Sequence, residues 1–82
     1  MGAKNDDEIP KGLDGLTVSE MAMAIHETIL TKEDKRIAEL RLINLETLDK
    51  IAEVMYMDKR TVRKRLQKIL PRIVFTIKKL LR

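Results

Sequence analysis

Cysteine and tryptophan are absent, and histidine, tyrosine and phenylalanine occur once each. Without cysteine there is no disulfide, no thiolate metal site and no cysteine nucleophile, which fits a cytoplasmic protein. No apolar run approaches the roughly 20 residues of a membrane span, so no membrane partner is expected. His26 has no organised acid–base partner in sight, no acidic cluster has metal-ligand spacing, and no glycine-rich phosphate loop occurs. The expectation is a protein that is not an enzyme, with no metal and no cofactor. Only two prolines and three glycines punctuate the chain, and nothing alternates with the period of a β-strand.

What remains is a helical composition. The 82 residues allow one small domain. Apolar residues make up 44% and charged residues 37%, with Leu, Ile, Met, Ala, Lys, Glu and Arg dominant. An all-α fold is expected, a small domain of four to five helices. The net charge of +4 conceals a segregation. Residues 1–16 carry two Lys/Arg against four acids, and residues 17–57 carry five against eight. Residues 58–82 carry ten against Asp58 alone. A block with nine excess positive charges is the footprint expected for a polyanionic partner.

Residues 1–15 show no period, contain Pro10, Gly12, Gly15 and four acids, and read as a flexible acidic tail. Residues 16–82 read as the folded domain. Thr17 and Glu20 have capping-box spacing, with Leu16 and Met21 placed as a hydrophobic staple. Val18, Met21, Ala22, Ile25 and Ile29 then predict the buried face of a helix ending near Leu30. Thr31 opens a second helix with Glu33 and Asp34 in its first turn, a stripe of Ile37, Leu40 and Leu42 or Ile43, and Asn44 as a stop. Thr47 caps a third helix, in which Leu48, Ile51, Ala52 and Met55 share a face. The five methionines read as core filler.

Asp58 is expected to cap a fourth helix whose first turn holds Lys59 and Arg60. Cations there oppose the helix dipole and cost a few tenths of a kcal/mol each, a local conflict that marks a functional element. At about 100° per residue, Val62, Leu66, Ile69 and Leu70 form one apolar arc. Lys64 stands opposite, flanked by Arg60 and Lys68, with Thr61 and Gln67 beyond. Arg63 and Arg65 border the arc. No acidic residue lies at i±4 to relieve the crowding. Pro71, which lacks an N–H, is expected to kink or restart the helix, leaving a C-terminal amphipathic helix over 71–82.

Residues 47–70 are thus two short helices joined by three residues, with Ala52 at the crossing and Met57 filling the angle. That is helix-turn-helix spacing, in which the second helix enters the major groove. Lys59, Arg60, Arg63 and Lys64 are the candidate base contacts, since Arg and Lys donate to guanine, and Gln67 matches adenine. Thr47, Lys50, Thr61, Arg65 and Lys68 are the candidate contacts to the DNA backbone. Near-absence of aromatics argues for duplex DNA over single strands, which are read by stacking.

Residues 30–73, LTKEDKRIAELRLINLETLDKIAEVMYMDKRTVRKRLQKILPRI, resemble region 4 of bacterial sigma factors and the LuxR-type DNA-binding domain. The match runs without a gap over about half the chain and rests on the LT opening, IAEVM, TV at 61–62 and RL at 65–66. The resemblance implies a recognition helix containing Thr61 to Gln67 and a backbone contact at Thr47. In sigma factors the module reads a promoter element and touches RNA polymerase. The chain departs from the family at Tyr56 and at Leu45, where glycine is usual, and at Pro71. Nothing in it corresponds to the promoter-melting sigma regions, so a stand-alone regulator of transcription, of the kind found in phages and mobile elements, is expected.

Other readings stay open. The domain is alternatively a protein-interaction module docking RNA polymerase or another regulator, or a DNA-recognition domain for phage DNA packaging. The stripe Ile73, Ile77, Leu80 and Leu81 either completes the monomer core or forms a homodimer seam, and Phe75 points away from it. Dimerisation would place two modules about one helical turn of DNA apart. The acidic tail is a candidate mask for the basic helix.

Overall fold

The computed structural model describes residues 11–80, and the side chains of 12–80. Four α-helices follow one another: α1 (Val18–Glu27), α2 (Lys32–Leu42), α3 (Leu48–Met55) and α4 (Lys59–Leu80). A single 3-10 turn over Lys11–Leu13 precedes them, and no strand occurs among the described residues. The fold is all-α. The long α4 touches every other element, while the three shorter helices wrap around it.

Three threonines set the starts. Thr17, Thr31 and Thr47 each accept a backbone N–H from the residue three positions on, at 3.1 Å in every case. Glu20 returns the bond to the Thr17 N–H at 2.9 Å, completing the capping box. Each cap satisfies a donor that the helix itself leaves unpaired.

The ends differ from expectation. α1 stops at Glu27 rather than near Leu30. Thr28 turns into the interior, its hydroxyl donating to the Ala24 carbonyl at 2.6 Å and lying 2.8 Å from Thr76 Oγ1 of α4. The buried arc of α1 is therefore Met21, Ala24 and Ile25, with Thr28 beyond. Val18 and Ile29, predicted for that face, are 65% and 88% exposed, and Ala22 is exposed too. Past Leu42, the left-handed residue is Leu45 (φ 57°), not Asn44. α3 ends in a Schellman motif: the Met57 N–H donates to the Ala52 carbonyl at 2.9 Å and the Tyr56 N–H to that of Glu53 at 3.3 Å. Tyr56 itself takes the left-handed conformation, φ 57° and ψ 45°. The two positions at which glycine is usual in the resembling family are thus the two non-glycine residues with positive φ among those described.

Pro71 does not divide the C-terminal segment. α4 runs unbroken from Lys59 to Leu80. Proline's φ is compatible with a helix, and its ring stands on the exposed side. Ile69 and Ile73, one on each side, are 1% and 0% exposed and hold both halves in one core. The separate helix expected over 71–82 is the second half of α4 as far as Leu80.

The core is aliphatic. Ile25, Ile37, Leu48, Ile51, Val62, Ile69 and Ile73 are its largest fully enclosed side chains. Leu13 joins them at 2% exposure, and Gly12 lies so close that an added Cβ would meet Val74 Cγ1 at 2.7 Å. The 3-10 turn Lys11–Leu13 is therefore packed against α4 and does not belong to a loose tail, while Asp14 and Gly15 are exposed; the remainder of that expected tail, 1–10, lies outside the described residues. Ile73 and Ile77 are likewise interior to the monomer. They cannot form a dimer seam, because their apolar surface is already covered. Leu80 is 44% exposed, and Leu81 lies outside the described residues.

Candidate nucleic-acid interface

α4 has two unlike sides along its first half. Val62, Leu66 and Ile69 are buried, with Leu70 half-buried beside them. Arg60, Thr61, Lys64, Gln67 and Lys68 are exposed. At 1.5 Å per residue, the cationic row from Arg60 to Lys68 spans about 12 Å. Neutral hydrogen-bonding groups, Thr61 and Gln67, are interleaved with the charges. Burial of the opposite side fixes the rotation of the helix, so these side chains have no alternative direction.

The candidate contacts divide by what they already hold. Lys64 and Lys68 have no carboxylate partner among the described residues. Arg60 keeps only a weak tie to Asp58, its Nε 3.4 Å from Oδ2, and its side chain is 85% exposed. Lys59 is half-buried and reaches back to Asp49 of α3 at 3.3 Å. These two acids offset part of the unfavourable charge in the first turn of α4. Asp58 stands just before that turn, its carbonyl accepting from the Thr61 and Val62 N–H groups. Arg63 is half-buried at the edge of the apolar arc.

Arg65 is the clear exception. Its guanidinium donates to Glu33 Oε1 at 2.7 Å and to Asp34 Oδ1 at 2.9 Å, both in the first turn of α2. The hydrogen bond to Asp34 first, and that to Glu33 next, raise the Arg65 pKa above its ordinary value. The same acids sit at the positive end of α2. Arg65 thus clamps α2 to α4. The expectation of a DNA-backbone contact there is corrected: its donors are directed at carboxylates within the molecule.

At the start of α3, Thr47 Oγ1 accepts from the Lys50 N–H, which leaves its own hydroxyl proton available to an outside acceptor. Both Thr47 and Lys50 are exposed or half-exposed at the surface, and the Lys50 ammonium rests 3.7 Å from Glu53 one turn on. Two features escape a reading of the sequence. One is the Arg65 clamp, whose partners lie 31 and 32 residues away. The other is the exposed Ile29, for which the gap between the end of α1 and the Thr31 cap is the only available signal.

Comparison with protein-family models, curated proteins and solved structures finds no match to this chain.

Proposed function

We propose that this protein binds duplex DNA through the exposed cationic side of the first half of α4, in the service of transcription regulation. In this reading α3 and α4 act as a helix-turn-helix, with α4 in the major groove and α3 bracing it from behind. The observation that carries the proposal is the pairing of two facts about one helix. Its inner side is locked in the core, and its outer side presents Arg60, Thr61, Lys64, Gln67 and Lys68 together. A helix fits the major groove, about 12 Å wide, and Arg, Lys and Gln donors match the acceptors on purine edges.

The roles follow from exposure. Arg60, Lys64 and Gln67, at i, i+4 and i+7, reach base edges. Thr61 and Lys68 flank them at phosphate height, and Thr47 and Lys50 meet the backbone from the start of α3. Lys59 and Arg63 border the contact. The likeness of residues 30–73 to sigma factor region 4 supports the same assignment of α4.

Fluorescence anisotropy with a random-sequence duplex tests this. Arg60→Ala/Lys64→Ala is expected to weaken binding by on the order of tenfold or more, since removing a single hydrogen bond to a phosphate or base costs about 1 kcal/mol or more. Equal binding by wild type and double variant would overturn the proposal.

A further inference from the structure

Beyond Pro71, α4 changes character. Ile29, from the loop after α1, is 88% exposed, and Phe75 and Leu80 are 62% and 44% exposed. With Pro71 they line an open groove of about 670 Å³ between the end of α1 and the second half of α4. The Thr28–Thr76 hydroxyl pair lies in its wall, already hydrogen-bonded within the protein. None of this apolar surface serves the core.

The rim is mainly cationic. Arg72 and Lys79 line the groove against a single acid, Glu27, and Lys78 is exposed alongside. The Arg72 guanidinium donates to the Ile29 carbonyl at 3.3 Å, which holds that loop in place and leaves its other donors to face outward. The Lys79 ammonium stands 5.3 Å from the centre of the Phe75 ring, an attraction that positions it at the edge of the apolar surface. Neither cation has a carboxylate partner among the described residues.

We infer that this groove docks a short amphipathic helix of another protein, one that carries large apolar side chains on one face and acidic residues beside them. The apolar lining selects the first feature and the Arg72–Lys79 rim the second. A second copy of the chain fits poorly. Two-fold pairing would bring two like-charged rims together. The few exposed apolar side chains also fall well short of the roughly 800 Å² per partner that a stable dimer buries. The groove begins close to the proposed DNA contact: about 6 Å along α4, one helical turn, separates Lys68 from Arg72, while Phe75 lies about 16 Å from Lys64. The two contacts use different side chains and the titration below contains no DNA, so helix docking and the DNA contact proposed above can each fail alone.

The test is a titration of the isotope-labelled full chain with a synthetic amphipathic peptide of about fourteen residues, with leucines at i, i+3, i+4 and i+7 and glutamates flanking them. Backbone amide shifts should concentrate at Ile29, Arg72, Phe75 and Lys79. Phe75→Ala and Lys79→Glu should each weaken binding on the order of tenfold, and the peptide with lysine for every glutamate should bind on the order of tenfold less well. Both substitutions lie on the exposed side of α4, so the folded spectrum persists in each. Absence of localised shifts, or equal binding of the charge-reversed peptide, would overturn the inference. So would concentration-dependent self-association through Phe75 without peptide.

Discussion

Replacing Arg65 with alanine separates a structural cation from those proposed to contact DNA. The side chain makes two charge-assisted hydrogen bonds, at 2.7 and 2.9 Å, to acids on another helix. Exposed ion pairs contribute about 0–1 kcal/mol, and the Arg65 side chain is 37% exposed. Two considerations place this pair near the upper end. The guanidinium engages two carboxylates at once, and the Asp34 side chain is only 22% exposed, so removal of its partner leaves a poorly hydrated charge. The expected destabilisation is about 1–1.5 kcal/mol, equivalent to a fall in Tm of roughly 4–10 °C for a domain this small. Urea denaturation of Arg65→Ala, Asp34→Ala and the double variant gives the coupling directly. DNA affinity at low temperature, where all variants are folded, should change less than about twofold. Unaltered stability combined with an affinity as weak as that of Lys64→Ala would refute the reasoning. Arg65 would then be a phosphate contact, and its short distances to α2 would carry no energy.

Other substitutions probe the backbone and core. Tyr56→Gly should stabilise the domain by about 0.5–1 kcal/mol in urea denaturation, because a side chain that is 96% exposed leaves a left-handed position suited to glycine. A drop in stability would mean the ring is packed. Pro71→Ala should raise stability by about 1–2 kcal/mol by supplying the missing helix N–H, with part of the gain offset by a more flexible unfolded chain. An unchanged midpoint would show that the Gln67 carbonyl is well satisfied without it. Ile73→Ala, at a site 0% exposed, should cost about 2–5 kcal/mol and largely unfold the protein by circular dichroism. A monomer of near-native stability would reopen the dimer-seam reading. The difference between wild type and Arg65→Ala should also stay constant from about pH 6 to about pH 10. The raised pKa of Arg65 in the folded state keeps its contribution intact below the unfolded value, and the contribution fades only as the pH climbs through the higher folded value.

Local chemistry is legible in the sequence, and long-range pairing is not. The three threonine caps can be read because a cap and its partner lie three residues apart. The buried arc of α4 follows from period alone, since Val62, Leu66 and Ile69 have one possible side in common. Leu13 is hidden because an isolated leucine among glycines and acids has no periodic neighbour to mark it; its burial depends on the distant second half of α4, where Val74 crowds Gly12. The face of α1 misleads because Ile29 keeps the helical period although the helix has already ended. Pro71 obeys its local rule in isolation, yet the core contacts of Ile69 and Ile73 outweigh one absent hydrogen bond. For the candidate interface, the composition of the cationic side is visible. The removal of Arg65 from it is not, because that requires knowing that the first turn of α2 faces α4.

The central claim, that the outer side of α4 engages the phosphates and bases of duplex DNA, is met most directly by a salt titration. The affinity for a random-sequence duplex is measured from about 50 to 200 mM salt for wild type and for Arg60→Ala/Lys64→Ala. On a random-sequence duplex, where Arg60 and Lys64 meet phosphates in place of matched bases, about four to six neutralised phosphates predict a log–log slope of about −4 to −5, reduced by about 2 in the double variant. A slope near zero, or one that the two substitutions leave unchanged, would contradict the account and remove α4 from the contact.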